Sequence, residues 1–227
     1  MTKARETKSA SAGTVELNFW RKNLTTFPGI FRHTELEVLN VSENQLTSIP
    51  DDIGNLTNLR NLDLGHNQLT DLPESMGRLV NLSDYLYLHD NRLTCLAESL
   101  FAGMHRLRYL NVSDNQLAEL PASIGNLVSL EELHADNNPF RRLPESFARL
   151  TALRELRLRS AGLSEFPPEI RSLQRLNILD LRGDGLAKVP SWINELTELV
   201  KLDLRWNRIV RFDAMEALKA RSCRVLL

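Results

Sequence analysis

Residues 59–81 read LRNLDLGHNQLTDLPESMGRLVN, and the spacing of their leucines decides the fold. Leu59, Leu62 and Leu64 lead into Asn67, and Leu69, Leu72, Pro73, Met76 and Leu79 follow. The alternation at Leu62 and Leu64 is that of a short strand with one buried face. Asn67 turns the chain out of that strand. Pro73 then starts a return path that Met76 and Leu79 anchor to the core. The same pattern opens again at Leu36, Leu82, Leu107, Leu130, Leu153, Leu176 and Leu199, with a basic period of 23 residues. No single copy can bury these leucines alone, so neighbours must stack and share one continuous core. The 227 residues are therefore read as one elongated body rather than two globular domains.

The full pattern is L-x-x-L-x-L-x-x-N-x-L-x-x-L-P-x-x-I-x-x-L-x-x. Over roughly residues 14–212 it resembles the leucine-rich repeat family. The L-P-x-x-I-x-x-L return is similar to the subgroup found in intracellular Ras-signalling scaffolds, their plant relatives and many bacterial proteins. The resemblance implies an α/β solenoid of about nine repeats shaped as a horseshoe. Its parallel β-sheet would line the concave face, with short 3₁₀ or irregular returns on the convex face. It also implies a habit of binding proteins, without naming a partner.

Departures from the pattern locate further features. In the first repeat Leu17, Phe19, Leu24, Phe27 and Pro28 match, but Lys22 stands where the turn asparagine belongs. The repeat at Leu82 carries one extra residue before Asn91, which predicts a bulge near Asp84 and Tyr85. Ala97 then replaces the return proline, and Leu100, Phe101 and Met104 make a longer, broader return. Ala161 and Asp184 replace the turn asparagine in the repeats at Leu153 and Leu176. Alanine offers no hydrogen bond there and ionised aspartate only accepts, so these two repeats should be less rigid, with Gly162, Gly183 and Gly185 adding freedom. Asp213 and Glu216 read as a capping box opening a short helix, with Met215 and Leu218 toward the core. Residues 213–227 form a cap that ends in a covering strand at 225–227, and residues 1–13 form a flexible polar tail.

Composition narrows the function classes. Net charge is −1 and mean hydropathy −0.26, which gives no global attraction to nucleic acid or a membrane surface. No apolar run reaches the roughly 18 residues that a membrane span needs. Cys95 and Cys223 lie about five repeats apart, beyond disulfide reach. The flanking cysteine clusters that the resemblance would imply for a secreted member are missing. Triplets of the form N-x-S/T at Asn23, Asn40, Asn55, Asn81 and Asn111 arise from the repeat pattern itself. A cytoplasmic monomer is the expectation, or a protein delivered into a host cell if it is a bacterial effector.

Aligning the repeats places outward residues in columns. The column two before the asparagine runs Trp20, Ser42, Gly65, His89, Ser113, Asp136, Arg159, Arg182, Arg205. Two residues further back it runs Asn18, Asn40, Asp63, Tyr87, Asn111, His134, Arg157, Asp180, Asp203. Immediately before the asparagine come Arg21, Glu43, His66, Asp90, Asp114, Asn137, Ser160, Gly183 and Trp206. Tyr85 and Tyr109 fall in a fourth column beside Glu132 and Glu155. Repeat architecture asks for leucines inside and not for aromatics outside. Tyr, Trp and Arg dominate interface hot spots because they bury large area with a polar handle.

Tyr85, Tyr87, His89, Tyr109 and His134 are thus the expected centre of a partner-binding face. Arg157, Arg159, Arg182, Arg205 and Trp206 are its charged anchor, and Trp20 lies at the far end. The plainer reading of the aromatics is that they suit exposed strand positions. The arginines read either as a dock for an acidic patch, a phosphate or a carboxylate, or as an ion-pair lattice with Asp136, Asp180 and Asp203. Toward the first repeats, Glu43, Asp63, Asp90 and Asp114 lie near His66 and His89. Their spacing comes from stacking rather than from a metal motif, so the face is read as acidic first and basic last, with no metal and no cofactor.

No nucleophile elbow, phosphate loop or histidine-metal signature occurs, and neither cysteine has a reactive setting, so the chain is not read as an enzyme. Three readings of function remain. The first is a non-catalytic module or scaffold that holds a folded protein on its concave face. The second is the substrate-recruiting part of a bacterial effector or signalling complex, such as a ubiquitin ligase or a GTPase- or phosphatase-targeting subunit. The third is binding of a small anion at the arginine column.

Overall fold

The structure is a computed structural model that describes residues 15–227, so the tail expected over residues 1–13 lies outside the described residues. Ten three-residue strands stack in chain order into one parallel sheet. They are β1 (Glu16–Asn18), β2 (Val38–Asn40), β3 (Asn61–Asp63), β4 (Tyr85–Tyr87), β5 (Tyr109–Asn111), β6 (Glu132–His134), β7 (Glu155–Arg157), β8 (Ile178–Asp180), β9 (Lys201–Asp203) and β10 (Arg224–Leu226). The middle residue of β1 to β9 is a buried leucine, and the register sets leucine on leucine from Leu17 to Leu202. Each such side chain contributes about 1.5–3 kcal/mol by burial. Strands stack about 4.8 Å apart, less than the width of the returning turns, so the sheet lines the inside of an open curve.

Six returns form 3₁₀ turns, each beginning directly after a proline in extended geometry: Pro50, Pro73, Pro121, Pro144, Pro167 and Pro190. Glycine allows these returns to stack closely. A Cβ on Gly77 would stand 2.3 Å from the carbonyl oxygen of Ser99 in the next repeat. In the repeat where Ala97 replaces proline, residues 97–104 make turns without a 3₁₀ segment, and Leu100, Phe101 and Met104 fill the core. Glu98 there takes up a second task. Its carboxylate accepts the N–H groups of Ala122 at 2.7 Å and Ser123 at 2.9 Å, the first amides of the next return.

The extra residue of that repeat is absorbed at Ser83 and Asp84, beside the expected position. Elsewhere one carbonyl receives two successive N–H groups of the next repeat, as Glu37 does from Arg60 and Asn61. Here Ser83 and Asp84 each receive one, from Arg108 and Tyr109.

Asparagines tie the strand exits together. Asn67 Nδ2 donates to the carbonyls of Val41, Leu64 and Gly65 at 3.1 Å each, and its Oδ1 accepts the Leu46 N–H at 3.0 Å. Asn44, Asn91, Asn115 and Asn138 repeat this arrangement, and Asn207 closes the series. Ala161 and Asp184 interrupt it between Asn138 and Asn207.

At the end of the stack the helix α1 (Met215–Ala220) lays buried Leu218 and partly buried Met215 on the core. The expected capping box does not form. The N-cap is Ala214, without a side-chain hydrogen bond, because the helix starts two residues after Asp213. Burial of Phe212 and Ala214 draws that segment into the core and sets where the helix begins. The covering strand β10 occupies 224–226, one residue earlier than the sequence suggested.

Candidate functional site on the concave face

Strand register brings the outward columns together as aligned. Tyr85 pairs with Tyr109, which pairs with Glu132, and Tyr87 lies between Asp63 and Asn111. Because each leucine points in, its two strand neighbours point out, and β4 presents both Tyr85 and Tyr87.

The rings form a continuous run. Tyr85 stacks on Tyr87 at 4.6 Å, and Tyr87 meets His89 edge-on at 5.7 Å and Tyr109 at 5.2 Å. His66 extends the run from His89 at 4.7 Å, and Tyr109 meets His134 at 5.0 Å. Such geometry contributes about 0.5–1.5 kcal/mol per pair beyond area. Tyr85, Tyr87 and Tyr109 also line a shallow hollow of about 270 Å³ with Asp84, Arg108, Glu131 and Glu132. A larger hollow of about 500 Å³ opens on the strand-exit turns around Arg141, Phe166 and Pro167, and holds none of the candidate residues.

Gly65 is the residue that sequence reasoning undervalued. A Cβ there would stand 2.4 Å from the His89 ring, so the missing side chain is what lets His89 lie down against the sheet. The signal was a glycine beside a histidine in one column. Gly65→Ala should therefore destabilise the chain by about 1–2 kcal/mol through overpacking. Adding His89→Ala should remove most of that penalty. Urea unfolding of the single and double variants checks this, and equal losses in both would sink the steric account.

The polar groups of the centre are mostly uncharged. Burial raises the pKa of Tyr85, Tyr87 and Tyr109, so all three keep their hydroxyl protons. Burial lowers that of His89, helped by His66, and that of His134, helped by Arg157. Neutral His134 accepts the Tyr109 hydroxyl at Nδ1 at 2.6 Å, while its buried Nε2 lies 3.4 Å from Glu155 Oε1 without a hydrogen bond. Glu155 receives Arg157 Nε at 2.5 Å. Tyr109 and His134 thus form one hydrogen-bonded pair and Arg157 and Glu155 another beside it, of which Glu155 was noted in sequence only as a neighbour.

The arginine column divides. Arg182 donates to Asp180 through Nε at 2.8 Å and Nη2 at 2.6 Å, and Arg205 to Asp203 through Nε at 2.9 Å and Nη2 at 2.8 Å. Asp180 and Asp203 are almost fully buried, and buried carboxylates require such partners. These two arginines are the ion-pair lattice. Asp136 takes the backbone N–H of Arg159 at 2.7 Å, so the lattice does not extend to it as a side-chain pair. Among the described residues the guanidinium of Arg159 has neither an ion pair nor a hydrogen bond. The arginine column is therefore largely neutralised, with Arg159 as its unengaged member among the described residues.

The column just before the asparagine has a property not foreseen. All nine residues from Arg21 to Trp206 have positive φ, between 52° and 74°. Only glycine adopts this without strain, and asparagine and aspartate tolerate it best. Trp206 stands there at φ 64°, is 68% exposed, and has the guanidiniums of Arg182 and Arg205 each 5.7 Å from its ring. Trp20, 46% exposed, stacks with Arg21 at the opposite end, so the structure does not join it to the tyrosine centre.

Near His66 and His89 the arrangement is ring against ring, with His66 Nδ1 2.5 Å from Asp90. Among the described residues no three His, Cys, Asp or Glu side chains gather around a point that could hold a cation. Both cysteines are free, Cys95 exposed and Cys223 buried, and burial raises the Cys223 thiol pKa. No helix among the described residues is long and apolar enough to cross a membrane.

Family models describing leucine-rich repeats match residues 34–82, 84–140 and 148–224. The chain belongs to the leucine-rich repeat family. Among solved structures it is similar to a leucine-rich repeat protein of Leptospira interrogans, with 31% identity and a TM-score of 0.81. That match covers 90% of this chain and 52% of the other, so this chain spans about half the length of the Leptospira protein. The leucine-rich repeat domain of the type III effector XopL is 29% identical, with a TM-score of 0.76, covering 96% of this chain and 77% of that one. A structure of the Drosophila Toll–Spätzle complex matches at 30% identity and a TM-score of 0.70, over 77% of this chain and 25% of that one. No curated protein matches the sequence. Leucine-rich repeat domains are typically protein-interaction modules.

Proposed function

We propose that the chain is a non-catalytic interaction module that holds a folded protein partner against its concave face. The observation that carries this reading is the run of half-exposed rings from His66 to His134. These rings pack on one another and take no part in the leucine core. They offer large, already ordered area with hydroxyl and imidazole handles, which lowers the entropy lost on binding. Arg159 lies one repeat beyond them, and Trp206 two repeats further along the sheet. An acidic side chain of the partner would find the Arg159 guanidinium unengaged, whereas Arg182 and Arg205 already hold carboxylates. For that reason binding of a small anion at the arginine column has weaker support. The module works as a monomer inside a cell, and no catalytic step is assigned to it.

Within this reading, recruitment of a substrate by a bacterial effector is the second form, favoured by the similarity to the XopL repeat domain over nearly the whole chain. Affinity capture read by mass spectrometry tests both. Wild type is compared with the Tyr87→Ala/Tyr109→Ala double variant and with Glu145→Lys, an exposed change on a convex return. One protein should be held by wild type and Glu145→Lys and lost by the double variant. A catalytic subunit among the proteins held would favour recruitment. Equal capture by all three would contradict the concave site.

A further inference from the structure

Asp184 occupies the place that asparagine takes in the stack of strand exits, and its two oxygens meet different surroundings. Oδ1 accepts the Leu163 N–H at 3.3 Å, as Asn67 Oδ1 accepts that of Leu46 at 3.0 Å. Oδ2 then falls where the asparagines carry Nδ2, and it is buried without a hydrogen-bond partner. The groups that await Nδ2 are carbonyls. In the next repeat Asn207 Nδ2 donates to those of Leu181 at 2.6 Å and Leu204 at 2.9 Å. The carbonyls at the same offsets from Asp184 are those of Leu158 and Leu181. An ionised carboxylate can only accept, so at this position it faces other acceptors; a protonated one donates as the amide does. Ala161 offers nothing from the preceding repeat, which leaves Asp184 alone to bridge the interval between Asn138 and Asn207.

We propose that Asp184 closes this interval as a protonated carboxylic acid, and that its ionisation above neutral pH loosens the repeats at Leu153 and Leu176 beneath Arg159 and Arg182. The fold alone supports this, whichever partner the concave face takes. Burial pushes the Asp184 pKa up to about 7; the backbone N–H groups of Leu163, Ala161 and Gly162 act against it, and Asp136 acts with it. Among the described residues Arg159, Glu165, Lys188 and Arg208 make no hydrogen bond or ion pair with Asp184. Arg182 and Arg205 are held by Asp180 and Asp203, and Asn207, which is neutral, accepts the Asp184 N–H at 3.2 Å.

The unfolded side chain titrates near 3.8, so between roughly pH 4 and 7 the folded state binds the extra proton. Stability from this group is complete below that window, falls as pH rises through it, and levels off above it. Asparagine at 184 carries its donor at every pH. The test is thermal unfolding of wild type and Asp184→Asn from pH 5 to 9, with an NMR titration of the wild-type Asp184 carboxyl carbon. The expected result is a difference in Tm favouring the asparagine variant that widens up to about pH 8 and then stays constant, with the carboxyl titrating near neutrality. Parallel Tm profiles, or a carboxyl that titrates near its unfolded value, would overturn the proposal.

Discussion

Asn115→Ala should lower the free energy of unfolding by about 3 kcal/mol, among the largest losses available to one polar substitution here. Asn115 Nδ2 donates to the carbonyls of Leu88, Val112 and Ser113 at 3.0–3.2 Å, and Oδ1 accepts the Leu93 N–H at 3.0 Å. The residue is 7% exposed and sits mid-stack, so water does not readily replace the lost partners. Each buried group left unpaired costs about 1–3 kcal/mol, and the carbonyls, with two lone pairs, lie at the low end. Stability in a stacked repeat is a sum over neighbours, so the loss weakens the junctions on both sides of β5. Urea unfolding followed by circular dichroism measures it. A loss under about 1 kcal/mol would show that these hydrogen bonds are redundant.

What the sequence could reveal followed from the chemistry of its repeat. The register from Asn18 to Asp203 was legible because one leucine per strand must point inward, and a one-residue slip would expose all of them. The extra residue ahead of Asn91 was legible for the same reason, though its place at Ser83 and Asp84 depended on which carbonyls the next repeat could reach. Other features depend on three dimensions. The Asp213–Glu216 pattern fits a capping box locally, but burial of Phe212 and Ala214 decides where the helix starts. Opposed charges in adjacent columns could not tell whether Arg159 or Arg182 would find a carboxylate: Asp180 takes both the backbone N–H and the guanidinium of Arg182, whereas Asp136 takes only the backbone N–H of Arg159. The left-handed φ of the column from Arg21 to Trp206 is marked by residue type only at Asp90, Asp114, Asn137 and Gly183, since arginine, glutamate and tryptophan occupy it as well.

For the partner held by wild type, Tyr109→Ala should weaken binding by at least about 2 kcal/mol, roughly 30-fold in Kd. Tyr109 sits centrally, touches Tyr87 and His134 with its ring, and donates its hydroxyl to His134. Its truncation removes aromatic area and frees the imidazole to turn. Arg159→Glu should act differently, slowing association and flattening its salt dependence, because an unpaired cation works mainly by steering. Val200→Ser, an exposed apolar change outside the strands, is the control and should leave Kd within twofold. Calorimetry and surface-binding kinetics separate these effects. If Tyr109→Ala and Val200→Ser bind alike, the tyrosine run is not the centre of the interface.

The most direct measurement is site-specific photo-crosslinking in cells, with a photoreactive side chain at Asn111 on the sheet in one version and at Glu145 on a convex return in another. Neither side chain lies in the leucine core; replacing Asn111 removes one hydrogen bond, from the Ser113 N–H at 3.0 Å, and circular dichroism checks that the fold is kept. Position 111 should yield one discrete protein adduct, and position 145 none of that mass. An adduct that forms from position 145 and not from 111 would place the partner on the convex side and contradict the concave site.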